Sequence, residues 1–141
     1  MKHNETYFEG AEGITLYSQN WLPEDITRAV IAIVHGIGEH SGRYMNAVDY
    51  MIPNQIAVYG YDLRGHGKSS DQRGHIDSWN QYRIDLLNFL IMIKSQQLEC
   101  PIFLLGHSLG ALIVLDLILT KPEELAGVIT CGTPIEPVGF S

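Results

Sequence analysis

The pentapeptide at residues 106–110 (GHSLG) carries the strongest chemical signal in the sequence. A serine between two glycines in the pattern G-x-S-x-G is typical of a nucleophile on a sharp turn between a strand and a helix. Apolar patterning predicts a buried strand at residues 102–105 and a helix at 109–120, which is the context that the pattern requires. We therefore predict that Ser108 is the nucleophile of an acyl transfer. The alternative is a glycine-rich turn with an uninvolved serine.

A second glycine-rich segment, residues 35–40 (HGIGEH), directly follows an apolar, largely β-branched run at 29–34. Attack of a serine on a carbonyl carbon places negative charge on the carbonyl oxygen, and preorganised N–H donors stabilise that charge. In the strand–turn–helix arrangement one donor follows the nucleophile and the other lies on the loop after an earlier strand. The sequence therefore predicts that the backbone N–H groups of Leu109 and Ile37 form this oxyanion hole.

Other residues of these two segments are expected to line or support the site. Gly36 and Gly38 would allow the loop backbone to face a ligand. A metal site built on His35 and His40 is the alternative, but their spacing suits no common zinc pattern. We expect no metal ion and no other cofactor. The predicted lining and supporting residues are His35, Gly36, Gly38, Gly106, His107 and Gly110.

A third segment, residues 61–69 (YDLRGHGKS), follows another apolar run at 55–60. Its glycines and basic side chains would suit a phosphate-binding loop. However, it lacks the spacing G-x-x-x-x-G-K-[ST], and the next predicted helix starts much later. The other interpretation is a tight loop in which Asp62 pairs with Arg64 or accepts hydrogen bonds from nearby N–H groups.

Apolar patterning also predicts the elements that must position these segments. Alternating polarity at residues 14–21, with 6–9 as a partner, indicates an antiparallel hairpin. Further apolar runs predict strands buried on both faces, and the segments between them predict helices, so the fold class is α/β with a parallel sheet after the hairpin. These strands are expected at 29–34, 55–60, 102–105 and 127–130, and the helices at 43–52, 79–97 and 109–120. The second helix carries an apolar stripe of Tyr82, Leu86, Phe89, Leu90 and Ile93.

Composition limits the classes of function. The chain has 141 residues, of which 45% are hydrophobic and 18% charged, as in one globular domain. A net charge of −7 without any Lys/Arg run argues against a nucleic-acid partner. The first residues contain no signal-peptide core, so a cytoplasmic location is expected. Residues 101–119 are apolar, but a short strand and helix explain them better than a transmembrane segment, because polar groups at bilayer depth are costly.

The two cysteines, Cys100 and Cys131, form no metal-binding spacing. We expect them to be ordinary buried thiols near opposite ends of two strands, too far apart for a disulfide.

The motifs together resemble one enzyme group. Residues 35–44 (HGIGEHSGRY), 61–69 (YDLRGHGKS) and 106–110 (GHSLG) are similar to the monoacylglycerol lipase and lysophospholipase group of the α/β-hydrolase superfamily, with a serine aminopeptidase S33-type domain. Residues 73–79 (RGHIDSW) resemble the same group. The resemblance implies an α/β-hydrolase fold, Ser108 as nucleophile and the N–H groups of Ile37 and Leu109 as oxyanion donors. Ala111 stands where the group usually has a second glycine.

The resemblance also implies residues that this sequence does not contain. Acyl transfer needs a base and a carboxylate that orients it, and in α/β-hydrolases these follow the serine in the order Asp/Glu, then His. Residues 109–141 contain no histidine, although Glu123, Glu124 and Glu136 are present. We expect residues 1–141 to be a partial domain that is inactive alone. A cap and two further strands bearing the Asp and the His would follow Ser141.

Two hypotheses therefore stay open. The chain is the front part of a serine hydrolase of monoacylglycerol-like or lysophospholipid-like esters, or it is a non-catalytic or split module that needs a partner, such as a complementing C-terminal half. A lipid or other small ester as substrate is compatible with peripheral membrane contact. Acyl length, head group and ester or amide preference stay undetermined. The strand at 127–130 would form an exposed sheet edge, which predicts aggregation or partner binding.

Overall fold

The sheet of this protein is mixed and has six strands within the described residues, which are 1–120 and 125–135 of the computed structural model. Along the sheet the strand order is β1-β2-β4-β3-β5-β6. The hairpin strands β1 and β2 run antiparallel, and β3 to β6 are mutually parallel. The strands are β1 (Lys2–Glu9), β2 (Thr15–Leu22), β3 (Ala29–Val34), β4 (Ile56–Tyr61), β5 (Ile102–His107) and β6 (Leu125–Cys131).

Three α-helices in the described part of the chain cover this sheet. They are α1 (Met45–Met51), α2 (Trp79–Gln96) and α3 (Leu109–Leu119). The helices α2 and α3 pack on one face, where the predicted apolar stripe of α2 is buried, and α1 packs on the other. The predicted α/β fold class is confirmed. Burial of apolar area on both faces is the main force that holds the layers together.

The register aligns the carboxyl ends of three neighbouring strands. Val34 of β3 pairs with Tyr61 of β4 on one side and with Gly106 of β5 on the other. The segments that follow β3, β4 and β5 therefore leave the sheet at the same edge, and these are the segments that the sequence singled out. In open α/β sheets, ligands bind at this edge.

Helix boundaries differ from the prediction at the first helix. Instead of one helix over 43–52, α1 is preceded by a 3₁₀ turn at Ser41–Tyr44 and followed by another at Ile52–Asn54. The second turn contains Pro53, which lacks the N–H that a continuing α-helix needs, and Gln55 then adopts a left-handed φ of 62°. The helix α2 begins, as predicted, at Trp79, behind a capping box formed by Ser78 and Gln81.

The sheet edge at β6 is open in the described residues. β6 pairs with β5 alone, and the side chain of Ile129 is 46% exposed. The thiols lie near opposite ends of β5 and β6, as expected, but neither is fully buried: Cys100 is half-buried, and Cys131 is exposed because it lies on this uncovered strand. None of the described helices combines the length and the apolar character needed to cross a membrane.

Candidate functional site

Ser108 occupies the junction between β5, which ends at His107, and α3, which begins at Leu109. Its backbone has φ 55° and ψ −116°, a conformation that side-chain-bearing residues rarely adopt. The Ser108 carbonyl already accepts a hydrogen bond from the Ala111 N–H at 2.9 Å, so the helix starts at once and the turn is sharp. Such a conformation costs of order 1–3 kcal/mol and is retained where the surrounding structure enforces it.

Glycine is required on both sides of this turn because strand and helix approach closely. A Cβ on Gly106 would lie 2.5 Å from the Gly110 carbonyl oxygen, and one on Gly110 would lie 1.9 Å from the Val34 oxygen. Either distance is far inside van der Waals contact. The two glycines therefore allow α3 to rest against the ends of β3 and β5.

The loop after β3 passes directly beside Ser108. A Cβ on Gly36 would lie 3.1 Å from the Ser108 Cβ, while one on Gly38, which has φ 73°, would meet nothing within 4 Å. Among the described residues, the N–H groups of Ile37 and Leu109 have no backbone acceptor. For Leu109 this follows from its place at the first position of α3, where helical N–H groups lack partners. These two N–H groups lie on segments that adjoin Ser108 in sequence or in space, and their role as an oxyanion hole stays a prediction.

A shallow groove of about 300 Å³ opens beside this loop. It runs from Ile37, whose side chain is 67% exposed, across to Arg73 on the segment after β4. A larger depression of about 570 Å³ lies between α2 and the turn after β1, and no residue of 106–110 lines it. No residue of 106–110 lines the smaller groove either, but Ile37, Gly38 and Glu39 of the loop after β3 do.

His35 supports the loop from inside the protein. Its side chain is fully buried, its Nε2 accepts a hydrogen bond from the Leu63 N–H at 2.9 Å, and its Nδ1 lies 2.7 Å from the Gly36 carbonyl oxygen. These partners define a neutral ring with the proton on Nδ1. Burial lowers the pKa of His35 from 6.5 to about 4. Because both nitrogens are engaged, His35 fixes the loop rather than exchanging protons.

Glu39 joins the loop after β3 to the segment before Ser108, and sequence reasoning did not assign it a role. Its Oε2 accepts hydrogen bonds from the Gly36 N–H at 2.8 Å, from His107 Nδ1 at 3.0 Å and from the Tyr44 hydroxyl at 3.3 Å. Burial alone would raise the pKa of Glu39, but the hydrogen bonds from His107 and Gly36 outweigh burial and lower it. The sequence signal that could have indicated this role is the presence of an acidic residue inside a glycine-rich loop.

Asp62 organises the loop after β4. Its two oxygens accept hydrogen bonds from the Ser41 N–H at 2.7 Å and the Lys68 N–H at 2.9 Å. Of the two predicted roles, Asp62 therefore accepts hydrogen bonds from backbone N–H groups and does not pair with Arg64. A Cβ on Gly67 would lie 2.2 Å from an Asp62 oxygen, so the carboxylate occupies the centre of the loop. A phosphate would meet a like charge there, which argues against the phosphate-loop alternative.

Arg64 pairs with Asp85 of α2 rather than with Asp62. Arg64 Nε and one terminal nitrogen lie 2.8 and 3.0 Å from the two Asp85 oxygens, and both side chains are fully buried. The bidentate geometry satisfies the buried charges. The pair ties the loop after β4 to α2.

Histidines surround the site, but none that the structure describes hydrogen bonds the Ser108 hydroxyl. His40 Nδ1 accepts from the Gly42 N–H at 3.1 Å, and His66 Nδ1 lies 3.0 Å from the Arg64 carbonyl oxygen. Both lie on loops at the carboxyl edge of the sheet. In the described residues no three potential metal-ligating side chains form a cluster.

Comparison with known proteins identifies the family and the fold of this chain. The profile of the serine aminopeptidase S33 family matches residues 25–138. Rat monoglyceride lipase is 32% identical over 119 residues, which cover 84% of this chain and 39% of the lipase. The monoacylglycerol lipase of Mycolicibacterium smegmatis is 28% identical over 94% of this chain and 47% of that protein. A solved carboxyl esterase from Bacillus coagulans superposes with a TM-score of 0.83 and 26% identity, over 94% of this chain and 45% of the esterase.

The chain spans less than half the length of these relatives and corresponds to their N-terminal part. The resemblance predicted from the three motifs is confirmed, together with the α/β-hydrolase fold. Since the family profile covers most of its length, the chain belongs to the serine aminopeptidase S33 family of α/β hydrolases.

Proposed function

We propose that this chain supplies the nucleophile and the oxyanion hole of a serine hydrolase that cleaves carboxylic esters. The observation that carries the proposal is the strained backbone of Ser108, with φ 55° at the β5–α3 junction. It adjoins Leu109 and the loop of Ile37, whose N–H groups have no backbone acceptor among the described residues. A non-glycine residue held in such a conformation points to function, because nothing in packing alone requires a serine there.

In the proposed reaction the Ser108 Oγ attacks the ester carbonyl carbon. A new C–O bond forms, the carbonyl π pair moves onto its oxygen, and the N–H groups of Ile37 and Leu109 stabilise that oxyanion. The serine proton passes to a general base, which returns it to the alcohol as the alcohol leaves. Water then attacks the acyl-enzyme by the same route, releasing the carboxylic acid and restoring Ser108.

We place the general base and its carboxylate outside this chain. Residues 109–141 contain no histidine, and in α/β-hydrolases the base follows the nucleophile. His35 cannot replace it, since both ring nitrogens are engaged. His107 adjoins the serine, but its Nδ1 is bound by Glu39 and it makes no hydrogen bond to the Ser108 hydroxyl.

Monoacylglycerols and lysophospholipids are the substrate class that we propose. The support is the similarity to two monoglyceride lipases, whose alignments cover 84% and 94% of this chain. The proposal includes action in the cytoplasm and peripheral contact with membranes that hold these lipids. Because the family is described as serine aminopeptidases, an amide substrate is the competing possibility. Hydrolysis of 2-nitrophenyl and glycerol esters, compared with an aminoacyl nitroanilide, distinguishes the two.

A split or non-catalytic module is the second candidate function. It is favoured by the open β6 edge, where exposed Ile129 and unpaired backbone groups suit a complementing C-terminal half. Reading the gene past Ser141 separates the two candidates. A segment with an aspartate followed by a histidine supports the complete hydrolase, and a stop codon supports the split or non-catalytic module.

A fluorophosphonate probe tests the chemistry directly. The 141-residue chain is expected to label weakly, because its serine lacks a base. Completed by the base-bearing segment, in one chain or as a separate half, it is expected to label at Ser108 and to hydrolyse monoacylglycerol. The Ser108→Ala variant provides the control. Efficient labelling of the isolated chain would contradict the proposal that the general base lies outside it. A completed protein that does not label would contradict the proposal that Ser108 is the nucleophile.

A further inference from the structure

One carboxylate oxygen joins the two segments that flank Ser108. Glu39 Oε2 accepts from the N–H of Gly36, on the loop after β3, and from His107, the last residue of β5. The hydroxyl of Tyr44, before α1, is its third donor. Gly36 and His107 are 71 positions apart in sequence. Only the folded sheet brings both of them to the same carboxylate oxygen.

These two partners adjoin the proposed oxyanion donors. Ile37 directly follows Gly36, and Leu109 lies two residues beyond His107. The same loop already contacts the serine, since a Cβ on Gly36 would lie 3.1 Å from the Ser108 Cβ and 3.2 Å from the His107 carbonyl oxygen. The spacing of the two donors therefore depends on how the Gly36 and His107 backbones are held together.

The carboxylate is suited to that task. The Glu39 side chain is 19% exposed, so its carboxylate is partly shielded from water and gains from fixed donors. Hydrogen bonds to an ionised acceptor are shorter and about twice as strong as neutral ones. Three donors converging on one oxygen also restrict where that oxygen can move.

We propose that Glu39 is a positioning residue, which holds the Ile37 and Leu109 N–H groups at the separation that the oxyanion requires. The inference rests on the proposed function, since it gives that hole its geometry. Glu39 acts through the loop and His107 and does not touch the reacting atoms. A carboxylate–histidine base acting on Ser108 is the competing interpretation, but no hydrogen bond joins His107 to the serine hydroxyl.

Two variants test the proposal, with one control. Glu39→Ala removes the acceptor, whereas Glu39→Gln keeps an oxygen for the Gly36 and His107 donors without the charge. Asp49→Asn, on the exposed side of α1, is the matched control for loss of an acidic group. Because Glu39→Gln is nearly isosteric, it keeps the test valid if Glu39→Ala fails to fold.

The first measurement is amide hydrogen exchange at Gly36, which needs no activity. Exchange reports how often a hydrogen bond opens. We expect Glu39→Ala to speed exchange at Gly36 about 10-fold or more, Glu39→Gln less than 3-fold, and Asp49→Asn not at all. Unchanged exchange in Glu39→Ala would overturn the inference, whatever the protein's activity.

The second measurement is ester hydrolysis by the completed enzyme. Loss of one oxyanion donor costs about 100- to 1,000-fold in kcat in serine hydrolases. Displacement of a donor should cost less, so we expect kcat to fall about 10- to 100-fold in Glu39→Ala with KM within 2-fold, and Glu39→Gln to restore most of it. Equal losses in both variants would indicate a proton-transfer role and overturn positioning. If the parent protein shows no Ser108-dependent hydrolysis, the proposed function fails, and the exchange result alone decides the role of Glu39.

Discussion

Replacing His35 by glutamine is expected to remove much of the acid sensitivity of this fold. His35 is fully buried between the loops after β3 and β4, and its Nε2 accepts the Leu63 N–H. Protonation of Nε2 would break that bond and place a charge away from water. Burial therefore lowers the pKa of His35 to about 4.

The size of the effect follows from proton linkage. The unfolded histidine has a pKa of 6.5 and the folded one about 4, a difference worth about 3 kcal/mol at about 1.4 kcal/mol per pKa unit. Because the unfolded chain binds the proton more readily, the stabilisation is complete above pH 6.5 and is lost as the pH falls towards 4. At pH 5 about 2 kcal/mol is already lost.

Urea unfolding monitored by tryptophan fluorescence, at low protein concentration, measures this loss at pH 7.5 and pH 5. At pH 7.5 the His35→Gln variant should be less stable by about 1–3 kcal/mol, because the Leu63 N–H loses its fitted acceptor. At pH 5 this deficit should shrink by about 2 kcal/mol. His75→Gln, on an exposed loop, is the control and should leave the wild-type pH dependence intact. An equally steep pH dependence in His35→Gln would refute the reasoning.

Three further perturbations follow from the packing. Gly110→Ala would place a Cβ 1.9 Å from a backbone oxygen of β3 and should abolish soluble folded protein. In Gly38→Ala the new Cβ meets no atom, so only the left-handed φ should lower the stability, by about 1 kcal/mol. Thermal unfolding compares the two variants. Arg64→Met removes the cationic partner of buried Asp85, which keeps only the Ala11 N–H as donor, and should destabilise the protein by about 3–5 kcal/mol in urea unfolding; a loss below 1 kcal/mol would contradict the buried pair. Ile129→Lys on the open β6 edge should reduce self-association in light scattering, and a wild-type protein that is already monodisperse would remove the basis for this expectation.

Local sequence was sufficient to predict the strands and the sharp turn at Ser108. The run at 29–34 is apolar throughout and β-branched at four of its six positions, and β3 has the same bounds. A strand buried on both faces needs no long-range information to be recognised. The pattern G-x-S-x-G likewise implied a close strand–helix approach, and the structure has it at Gly106 and Gly110. The start of the first helix was predicted less well, because residues 43 and 44 belong to the 3₁₀ turn at Ser41–Tyr44, which local patterning does not distinguish from an α-helix.

Contacts between distant segments could not be predicted in this way. Asp62 was the acid nearest to Arg64 in sequence, but Arg64 pairs with Asp71 and, fully buried, with Asp85; the pairing with Asp85 depends on where α2 packs. The meeting of Glu39 with His107 depends on β3 and β5 being neighbours in the sheet, with Val34 in register with Gly106. Strand order and register are set by burial over the whole sheet, which no single segment encodes.

The sequence by itself therefore determined the fold class, the position of the serine and the loops around it, since each depends on residues adjacent in the chain. The tertiary structure alone decided which charged groups meet, which histidine nitrogens are already engaged, and that one carboxylate binds both sides of the site. These depend on distances between segments tens of residues apart, and such distances exist only after the parallel strands have aligned their carboxyl ends.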